Sequence, residues 1–453
     1  MASAIATTTG KGATDPHKFL EDVLADDALD WVKSRNAECI AALGDPTETE
    51  DYKRILAILD SKEKIPSISQ IGPDGMFYNF WQDDVHVQGI WRKTTLESYK
   101  SAKPEWQTVL DLDALPPPTT DTASTWVWHG STLLDEGPDG KWDRAIIKLS
   151  PGGSDADTSR EMDLITEEFI DPADGGFAMP TAAKTSIAYR SRDEILVGTD
   201  FEGDGSTMTD SGYARVVKSW KRGTPISEAV TVFEAEQSDI AGGQWAYHDR
   251  GGIVHEFRLR SITFYTSKYE YRRLTPEELK STTADQESTP FQVVPIQEDA
   301  EISTFGNEAM ITLRSDWKPP GCDVTFKAGT LLTAPMPEVM KNDWSNIKAL
   351  FEPTPSKSLL GQVTTQDYLV LSVLEDVSTT LVVWKYEEGT FSVLPSEDDA
   401  VPIGEGVGVS NVNRDSSIGN SVFLWRDGYL KPETLEFVTD VGNLTDGKTE
   451  PLK

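Results

Sequence analysis

One type of short apolar run recurs along most of the chain, and this repetition limits the possible folds more than any other sequence feature. Each run is rich in β-branched and aromatic residues and is flanked by Gly, Asp, Ser or Pro, the pattern of a strand bounded by turns. Successive runs start roughly 50 to 70 residues apart. The seven runs are GMFYNFW from Gly75, STWVWHG from Ser124, DEILVGTD from Asp193, GGIVHEFR from Gly251, EAMITLRS from Glu308, DYLVLSVL from Asp367 and NSVFLWRD from Asn420.

Two or three further strand-like segments lie between consecutive runs, such as GIWRKTT and TVLDLD after the first run. A repeat of about 50 residues with about four strands is typical of a β-propeller, in which each repeat forms one sheet. Nearly continuous apolar runs fit this fold, because inner blade strands pack on neighbouring blades through both faces. We therefore predict a mainly β protein with a seven-bladed β-propeller over residues 66–453. A pair of β-sandwiches would also explain the strand content, but it does not explain the regular spacing.

Residues 15–65 have the helical period instead, and we predict two α-helices there. Asp15 and Pro16 suit the start of the first helix, and Thr47 or Thr49 suits the cap of the second. Each helix has an apolar side that must pack on something. The two apolar faces comprise Leu20, Leu24, Ala28, Trp31 and Arg35 in the first helix and Tyr52, Ile55, Leu56 and Leu59 in the second. Residues 1–14 are small and polar, and we predict a disordered tail.

Charge and cysteine content exclude several classes of partner. The chain has 42 lysines and arginines against 75 aspartates and glutamates, a formal net charge of −33, which argues against nucleic-acid and membrane-surface partners. The two cysteines, Cys39 and Cys322, lie far apart in sequence and form neither a disulfide framework nor a metal-binding spacing, which suits a reducing cytosol. The N-terminus shows no secretory signal, and the longest apolar stretch, YLVLSVL from Tyr368, is about a third of a membrane-spanning helix. We predict a cytoplasmic protein.

Motifs for catalysis are absent from the sequence. There is no G-x-S-x-G, no P-loop and no G-x-G-x-x-G after a strand, while GEGVGVS from Gly404 lacks the lysine and the following helix. A Ser-His-Asp triad assembled from distant positions stays open, although nothing points to one. The sequence therefore predicts no catalytic residue and no cofactor. The histidines are His17, His86, His129, His248 and His255.

Two segments could suggest a metal site. In DFEGDGSTMTD, acidic residues and a glycine mimic the first half of a calcium loop, but Ser211 stands where a bidentate Glu is required. An acidic surface turn is the favoured interpretation for Asp200, Glu202, Asp204 and Gly205. HDRGGIVH places His248 and His255 on either side of a Gly-Gly turn, where a hairpin could make them face one another. A solvent-exposed or core-edge histidine is the favoured interpretation, so we predict no metal ligand.

The stretch FYNFWQDDVHVQGIWRKTTLESYK, from Phe77 to Lys100, combines aromatic residues with Asp83, Asp84 and His86. A binding cleft would explain this combination, and so would two strands and a turn. A strand that is aromatic on both faces is what the interior of a blade requires. We therefore interpret the aromatic residues as core packing and assign no catalytic role to the two carboxylates and the histidine in the turn.

A series of segments, in order from about residue 15 to the end, resembles the N-terminal half of the prolyl oligopeptidase family of serine peptidases, and most closely its bacterial-type branch. The segments are DPHKFLEDV from Asp15, FYNFWQD from Phe77, GIWRKTTLESY from Gly89, VLDLDAL from Val109, LSPGGSDA from Leu149, EMDLITEEFI from Glu161, GGFAMP from Gly175, LVGTDF from Leu196, SGYARVVKSWKRGTP from Ser211 and LFEPTPSKSL from Leu350.

The resemblance implies a seven-bladed propeller that caps an α/β-hydrolase domain carrying a Ser-Asp-His triad. Members cleave short peptides after proline, and their propeller admits only such peptides to the active site. No position of this sequence matches the nucleophile, acid or base, so we expect the chain to be inactive alone. The implied partners are short peptides, through the propeller channel, and an α/β-hydrolase domain in a missing C-terminal part or a separate chain.

Two hypotheses about function follow. In the first, the chain is the substrate-gating propeller portion of such a peptidase. In the second, it is a stand-alone propeller that serves as a binding or scaffold module. A stand-alone module should have lost the apolar helix faces that dock on the hydrolase domain, so their retention favours the first hypothesis. The residues concerned are Leu20, Leu24, Trp31, Ile55, Leu56 and Leu59.

Overall fold

The computed structural model describes residues 15–22, 25–72, 75–118, 124–137, 140–249, 251–284, 289–395, 405–446 and 449–452. The chain divides into two compact units, Met1–Lys64 and Ile65–Lys453. The tail predicted over residues 1–14 lies outside the described residues, as does Leu24.

The first unit contains the helices α1 (Asp26–Leu43) and α2 (Glu50–Leu59), with 3-10 turns at Lys18–Glu21 and Pro46–Glu48. The predicted start of the first helix at Asp15 is wrong. The Asp15 carboxylate accepts a hydrogen bond from the His17 amide and caps only the short turn, and extended backbone at Ala25 separates that turn from α1. The cap of α2 is Thr49, whose hydroxyl accepts from the Tyr52 amide at 3.1 Å, as predicted.

The second unit is a seven-bladed β-propeller, since its described residues form seven antiparallel sheets in which strand order follows chain order. This confirms the predicted fold class. Blade 1 contains β1 (Gln70–Ile71), β2 (Met76–Trp81), β3 (Ile90–Thr95) and β4 (Gln107–Asp111); blade 2 contains β5 (Trp126–Leu133), β6 (Arg144–Pro151), β7 (Asp157–Asp163), β8 (Glu168–Phe169) and β9 (Ala178–Ala183), which also pairs with β7; blade 3 contains β10 (Ser186–Ser191), β11 (Glu194–Gly198), β12 (Val216–Lys221) and β13 (Val230–Glu234).

The remaining blades have the same meander. Blade 4 contains β14 (Ala241–His248), β15 (Val254–Ser261), β16 (Ser267–Leu274) and β17 (Gln292–Val293); blade 5 contains β18 (Glu301–Phe305), β19 (Glu308–Thr312), β20 (Leu331–Pro335) and β21 (Lys348–Phe351); blade 6 contains β22 (Lys357–Thr364), β23 (Tyr368–Glu375), β24 (Ser378–Glu387) and β25 (Thr390–Val393); blade 7 contains β26 (Glu405–Asn411), β27 (Val422–Gly428), β28 (Lys431–Val438) and β29 (Glu450–Pro451). Short helices α3 (Leu96–Lys100), α4 (Pro276–Ser281) and α5 (Met336–Val339) follow third strands, and 3-10 turns lie at Pro172–Asp174, Ile226–Glu228 and Val441–Asp446.

The recurring apolar runs correspond to the second strands of the blades, with one exception. The run from Ser124 forms β5, the first strand of blade 2, and the following segment RAIIKLS forms the second strand β6. Ala145, Ile146 and Ile147 of β6 are at most 1% exposed, whereas the tryptophans of β5 are only partly buried. The second strand is the more buried because it lies between two other strands and under both neighbouring blades.

Apolar clusters fill the interfaces between most blades. Between blades 3 and 4 the described apolar cluster is small, and buried charges replace it. Glu256, which has no exposed surface, accepts hydrogen bonds from Arg272 Nε at 2.6 Å, Arg190 Nε at 3.2 Å and Gln244 Nε2 at 3.1 Å. Every charge in this network therefore has a partner, as burial requires.

Side-chain contacts close the ring between blades 7 and 1. Among the described residues, no strand of one of these blades pairs with a strand of the other. The ring centroids of Phe77 and Phe423 lie 5.9 Å apart, and Tyr99 contacts both rings edge-on. Lys100 Nζ lies 2.6 Å from Glu450 Oε2 at the rim of this interface. Apolar burial is therefore the main force that holds the first blade to the last.

The meander gives the propeller two different faces. Turns between second and third strands share one face with the links between blades, which we call the connection face. Turns between first and second strands, and between third and fourth, lie on the opposite face, which we call the turn face. The first-to-second turns surround the central channel, because the first strand is the innermost of each blade.

Candidate functional site

A contact between two distant blades crosses the mouth of the channel on the turn face. Arg414 lies in the loop 412–421 between β26 and β27 of blade 7, and its Nη2 donates a hydrogen bond to the carbonyl oxygen of His248. His248 ends the first strand of blade 4. Blades 4 and 7 are not neighbours in the ring, so the loop and the Arg414 side chain together reach across the central opening to make this contact.

Local hydrogen bonds hold the loop that carries Arg414. Asn413 Oδ1 accepts from the Asp415 amide at 2.9 Å, and the Gly419 carbonyl accepts from the Gln366 amide of blade 6 at 2.9 Å. A side chain at position 419 would place its Cβ 2.3 Å from the Arg414 carbonyl oxygen, so only glycine fits there. The backbone of the loop therefore presents Arg414 to the channel from a fixed position.

Blade 2 contributes a carboxylate to the same place. Asp135 Oδ1 accepts from the Gly137 amide at 2.8 Å and lies 3.5 Å from His248 Nδ1. Burial alone would raise the pKa of Asp135, but His248, the Gly137 amide and the charge of Arg414 together hold that pKa below its usual value. Asp135 is therefore an anion that faces both His248 and Arg414.

Two further carboxylates complete what we call the channel cluster, defined as Asp135, His248, Asp249, Arg414 and Asp415. Asp249 accepts from the amides of Gly251 and Ile253, at 2.7 and 2.9 Å, within the turn of blade 4. Burial raises the pKa of Asp415; Arg414 and His248 oppose the rise, whereas the charges of Asp135 and Asp249 add to it. The charge of Arg414 thus acts on the carboxylates of Asp135 in blade 2 and Asp415 in blade 7, and Asp249 of blade 4 acts in turn on Asp415.

A cleft of about 500 Å³ opens beside the cluster on the turn face. Asp135 and His248 form its wall towards the channel, and the rest is lined by residues of blade 3, mostly charged, and by the segment of blade 4 from Leu279 to Thr283. Arg192 in this wall pairs with Glu136 at 2.6 Å and with Asp143 at 2.7 Å, so its charge is already compensated. The cleft thus has charged side chains in its walls and reaches Asp135 of the channel cluster.

The residues considered from the sequence lie apart from one another. Asp83 sits in the turn between β2 and β3, as predicted, and accepts from the amides of His86 and Val85 and from Trp81 Nε1. Burial acts to raise the pKa of Asp83, but these hydrogen bonds keep it far below its usual value. Asp84 and His86 occupy the same turn. All three therefore belong to a turn on the connection face.

The aromatic residues around this turn are packing residues, as predicted. Phe77, Trp91 and Tyr99 have no exposed surface. Phe80 stacks on Trp128 of blade 2 with ring centroids 5.1 Å apart. The stretch therefore contacts both neighbouring blades, blade 2 through Phe80 and blade 7 through Phe77.

The two segments considered as metal sites have other roles. Asp200 accepts from the amides of Gly203 and Gly205 and closes a surface turn. His248 and His255 do not pair across their hairpin, because His255 is opposite Tyr247. His255 is fully buried between the Tyr271 hydroxyl at 2.9 Å and Asp249 at 3.3 Å, so it is a core residue and not an exposed or core-edge one. Among the described residues, no group of three or more His, Cys, Asp or Glu could hold a metal ion.

The channel cluster could not be identified from the sequence, apart from His248. Its members lie in three segments that are more than a hundred residues apart along the chain and meet only because the ring closes. One available signal is loop length: the first-to-second connections of blades 2 and 7, which carry Asp135 and Arg414, are longer than ordinary hairpin turns.

The connection face carries a second distinctive surface, made of exposed apolar side chains in turns between second and third strands. We call it the apolar turn set: Val85, Val87, Tyr213, Phe264, Tyr265, Val324, Val377, Tyr429 and Leu430. Tyr429 and Leu430 are essentially fully exposed, at 103% and 98%. Among the described turns of the opposite face, Ile165 is the exposed large apolar residue.

Fold and site together define a seven-bladed β-propeller whose central channel is crossed at one face by an arginine. A family model described as the prolyl oligopeptidase N-terminal β-propeller domain matches residues 1–435. The chain belongs to this family. This confirms the resemblance seen in the sequence.

Curated relatives are similar along most of this chain. An uncharacterized peptidase, y4nA, from Sinorhizobium fredii (strain NBRC 101917 / NGR234) is 31% identical over 444 residues, which cover 96% of this chain and 57% of that protein. An uncharacterized peptidase, RP174, from Rickettsia prowazekii (strain Madrid E) is 26% identical over 386 residues, which cover 82% of this chain and 49% of that protein. The chain thus spans about half the length of these relatives.

Solved structures share the fold. A post-proline cleaving enzyme from Rickettsia typhi superposes with a TM-score of 0.79 at 23% identity, covering 96% of this chain and 60% of that one. Oligopeptidase B from Leishmania major gives a TM-score of 0.64 at 12% identity, covering 97% of this chain and 56% of that one. Within the described residues, no helix is both long and apolar enough to cross a membrane.

Proposed function

We propose that this chain is the substrate-gating propeller of a peptidase that hydrolyses short peptides after proline, and that an α/β-hydrolase domain covers its connection face. The apolar turn set carries this proposal. Its residues come from six blades and lie on one face, where a single partner can bury them together. Exposed apolar patches of this kind are typical of protein interfaces.

The opposite face explains how such a propeller would select substrates. Arg414 narrows the channel on the turn face, so a folded protein would be excluded while a thin, extended peptide could pass once the side chain moves. Selection by access requires no catalytic group in the propeller, in agreement with the sequence. The preference for proline comes from the solved relative described as a post-proline cleaving enzyme.

The alternative, a stand-alone scaffold module, agrees less well with the surface. A propeller without a hydrolase partner gains nothing from exposed apolar turns on one face, because they favour aggregation. In the first unit, Ile55, Leu56 and Leu59 of α2 are also exposed, at 57%, 44% and 62%. A second exposed apolar face supports a large partner domain.

The test begins with a fluorogenic Gly-Pro reporter peptide. We expect the purified 453-residue protein to show no hydrolysis, and we expect turnover after it is fused to the part of the Sinorhizobium fredii relative that lies beyond the matched region. Turnover by the 453 residues alone, or an inactive fusion, would count against the proposal. Sequencing of the coding DNA downstream of Lys453 adds a direct check, because a frame containing G-x-S-x-G is expected there.

The apolar turn set is tested in the same fusion. Replacing Tyr429 and Leu430 by serine should reduce turnover about tenfold, because the docked interface loses two buried apolar side chains. Ile165→Ser, on the opposite face, is the matched control and should leave turnover unchanged. Equal turnover in the two variants would contradict docking on the connection face.

A further inference from the structure

We propose that the channel cluster is a binding site for the positively charged group of a peptide, an N-terminal ammonium or a lysine or arginine side chain, and that Arg414 occupies this site when no peptide is bound. The inference rests on the proposed function and adds a substrate preference to it. It identifies Arg414 as both the barrier in the channel and the competitor of the ligand.

The first argument is the set of groups that surround the Arg414 guanidinium. The carbonyl of His248 accepts its hydrogen bond, and the carboxylates of Asp135 and Asp415 stabilise its charge. Carbonyl and carboxylate oxygens are acceptors for ammonium and guanidinium groups, and a partly buried setting strengthens charged hydrogen bonds. The cluster is therefore a cation receptor that is already assembled and already filled.

The second argument concerns His248 itself. The His248 side chain is only 9% exposed, and its Nδ1 has no hydrogen-bond partner among the described residues. A buried ring nitrogen without a partner carries an energetic cost. A bound ligand that shifts Asp135 by a few tenths of an ångström would complete the contact, which now measures 3.5 Å.

The third argument is access. The 500 Å³ cleft reaches Asp135 and His248 from the solvent, and its volume suits several residues of an extended peptide. Arg192 in its wall is paired with Glu136 and Asp143. The cleft is lined by four cations (Arg192, Lys221, Arg222 and Lys280) and by four carboxylates (Asp135, Glu136, Asp193 and Glu194), so its formal charges balance and do not repel a cationic ligand strongly. A peptide can thus approach Asp135 without first displacing Arg414.

Exchange between the two cations would couple binding to opening. The loop backbone is held by the bonds of Asn413 and Gly419, whereas the Arg414 side chain is long and its contact with His248 is a single hydrogen bond. When a peptide cation takes the acceptors, the arginine side chain leaves the opening while the loop stays in place. Only a positively charged peptide interacts favourably with these acceptors, so only such a peptide supplies the free energy that moves Arg414 out of the opening.

The experiment measures binding and not hydrolysis. Two N-acetylated, C-terminally amidated octapeptides of the same proline-containing sequence are compared by calorimetry, one with a single arginine and one with citrulline at that position. We expect Arg414→Ala in the 453-residue protein to bind the arginine peptide at least tenfold more tightly than the natural chain, because the internal competitor is gone. The affinity for the citrulline peptide should change less than twofold.

Two further variants serve as controls. Arg314→Ala removes an equal charge from an exposed pair with Glu301 and should change neither affinity. The double variant Arg414→Ala, Asp135→Asn should lose the gain, because a carboxylate of the receptor is removed; its far-UV and near-UV circular dichroism should match those of the natural chain.

Two outcomes would overturn the inference. The first is an unchanged affinity of Arg414→Ala for the arginine peptide. The second is an equal gain in affinity for the citrulline peptide, which would mean that the smaller side chain only enlarges the opening. The fusion assay is independent of both outcomes. A fusion that cleaves the reporter while Arg414→Ala shows no gain would leave the proposed function intact and reject the cation site.

Discussion

Glu308 is a carboxylate whose surroundings disfavour its charge. It is the first residue of β19 and is 6% exposed. Burial, and then the nearby charge of Glu338, raise its pKa to about 7, while Lys348 and the Tyr386 hydroxyl act in the opposite direction. The folded protein therefore holds a proton on Glu308 at a pH where the unfolded chain has already released it.

This difference gives the stability a pH dependence of known sign. The unfolded group has a pKa of 4.5 and the folded group one of about 7, so the contribution of the neutral carboxyl is lost as the pH rises from 4.5 through 7. Glu308→Gln keeps a neutral side chain at every pH. It should therefore raise the free energy of unfolding at pH 8 by about 1 to 2 kcal/mol, allowing for solvent screening, and have little effect near pH 4.5.

Urea denaturation at pH 4.5, 6 and 8 measures this effect. Glu388→Gln, at an exposed position in a turn of blade 6, is the matched control and should shift the midpoint equally at all three pH values. A constant difference between Glu308→Gln and the natural chain across the pH range would show that Glu308 is already ionised at pH 6.

At the scale of elements, the interface between blades 3 and 4 depends on charge pairing more than the other interfaces do. Glu256 on β15 joins Arg190 of β10 to Arg272 of β16. A buried pair contributes little net stability when intact, but removal of one partner leaves the others without compensation. The network is therefore a point at which one substitution has a large effect.

Glu256→Ala should lower the free energy of unfolding by about 3 to 5 kcal/mol, because two buried guanidinium groups lose their common carboxylate. The urea midpoint measures the loss. Glu375→Ala breaks the exposed pair with Lys357 and should cost less than about 1 kcal/mol. Similar costs for the two variants would mean that water already enters the interface between blades 3 and 4.

At the scale of the whole molecule, the repeat of apolar runs was sufficient to predict the number of blades. The prediction succeeds because each blade is a local meander, so its signal lies within one contiguous segment. The run in blade 2 shows the limit of this prediction. Its sequence pattern, with Trp126 and Trp128, suggests a buried second strand, but these residues lie on the first strand and are partly exposed.

Sites that depend on ring geometry were beyond sequence analysis. Asp135, His248 and Arg414 meet only when three blades are in place, and no local pattern connects them. The helix start at Asp15 failed for a local reason, because a carboxylate that caps a short turn has the same sequence signal as one that caps a helix.

The interface between blades 7 and 1 closes the ring. We expect a substitution there to loosen the strands beside this interface and not those of the other blades. Phe423→Ala should cost about 3 to 5 kcal/mol and increase amide hydrogen exchange in β2 and β27, because the contact with Phe77 and Tyr99 is lost. Phe257→Ala, in the cluster between blades 4 and 5, is the control and should increase exchange there instead. Uniformly faster exchange in both variants would show that the ring opens as one unit and not at a particular interface.

This closure also has a consequence for the order of events during synthesis. Each blade consists of consecutive residues and can pair its strands soon after it leaves the ribosome, whereas Lys100 must wait 350 residues for Glu450. Until then the aromatic side chains of the first blade have no partner on one side. The nascent chain therefore carries an unfinished hydrophobic edge until the seventh blade has been made, and that edge is where a chaperone would be needed most.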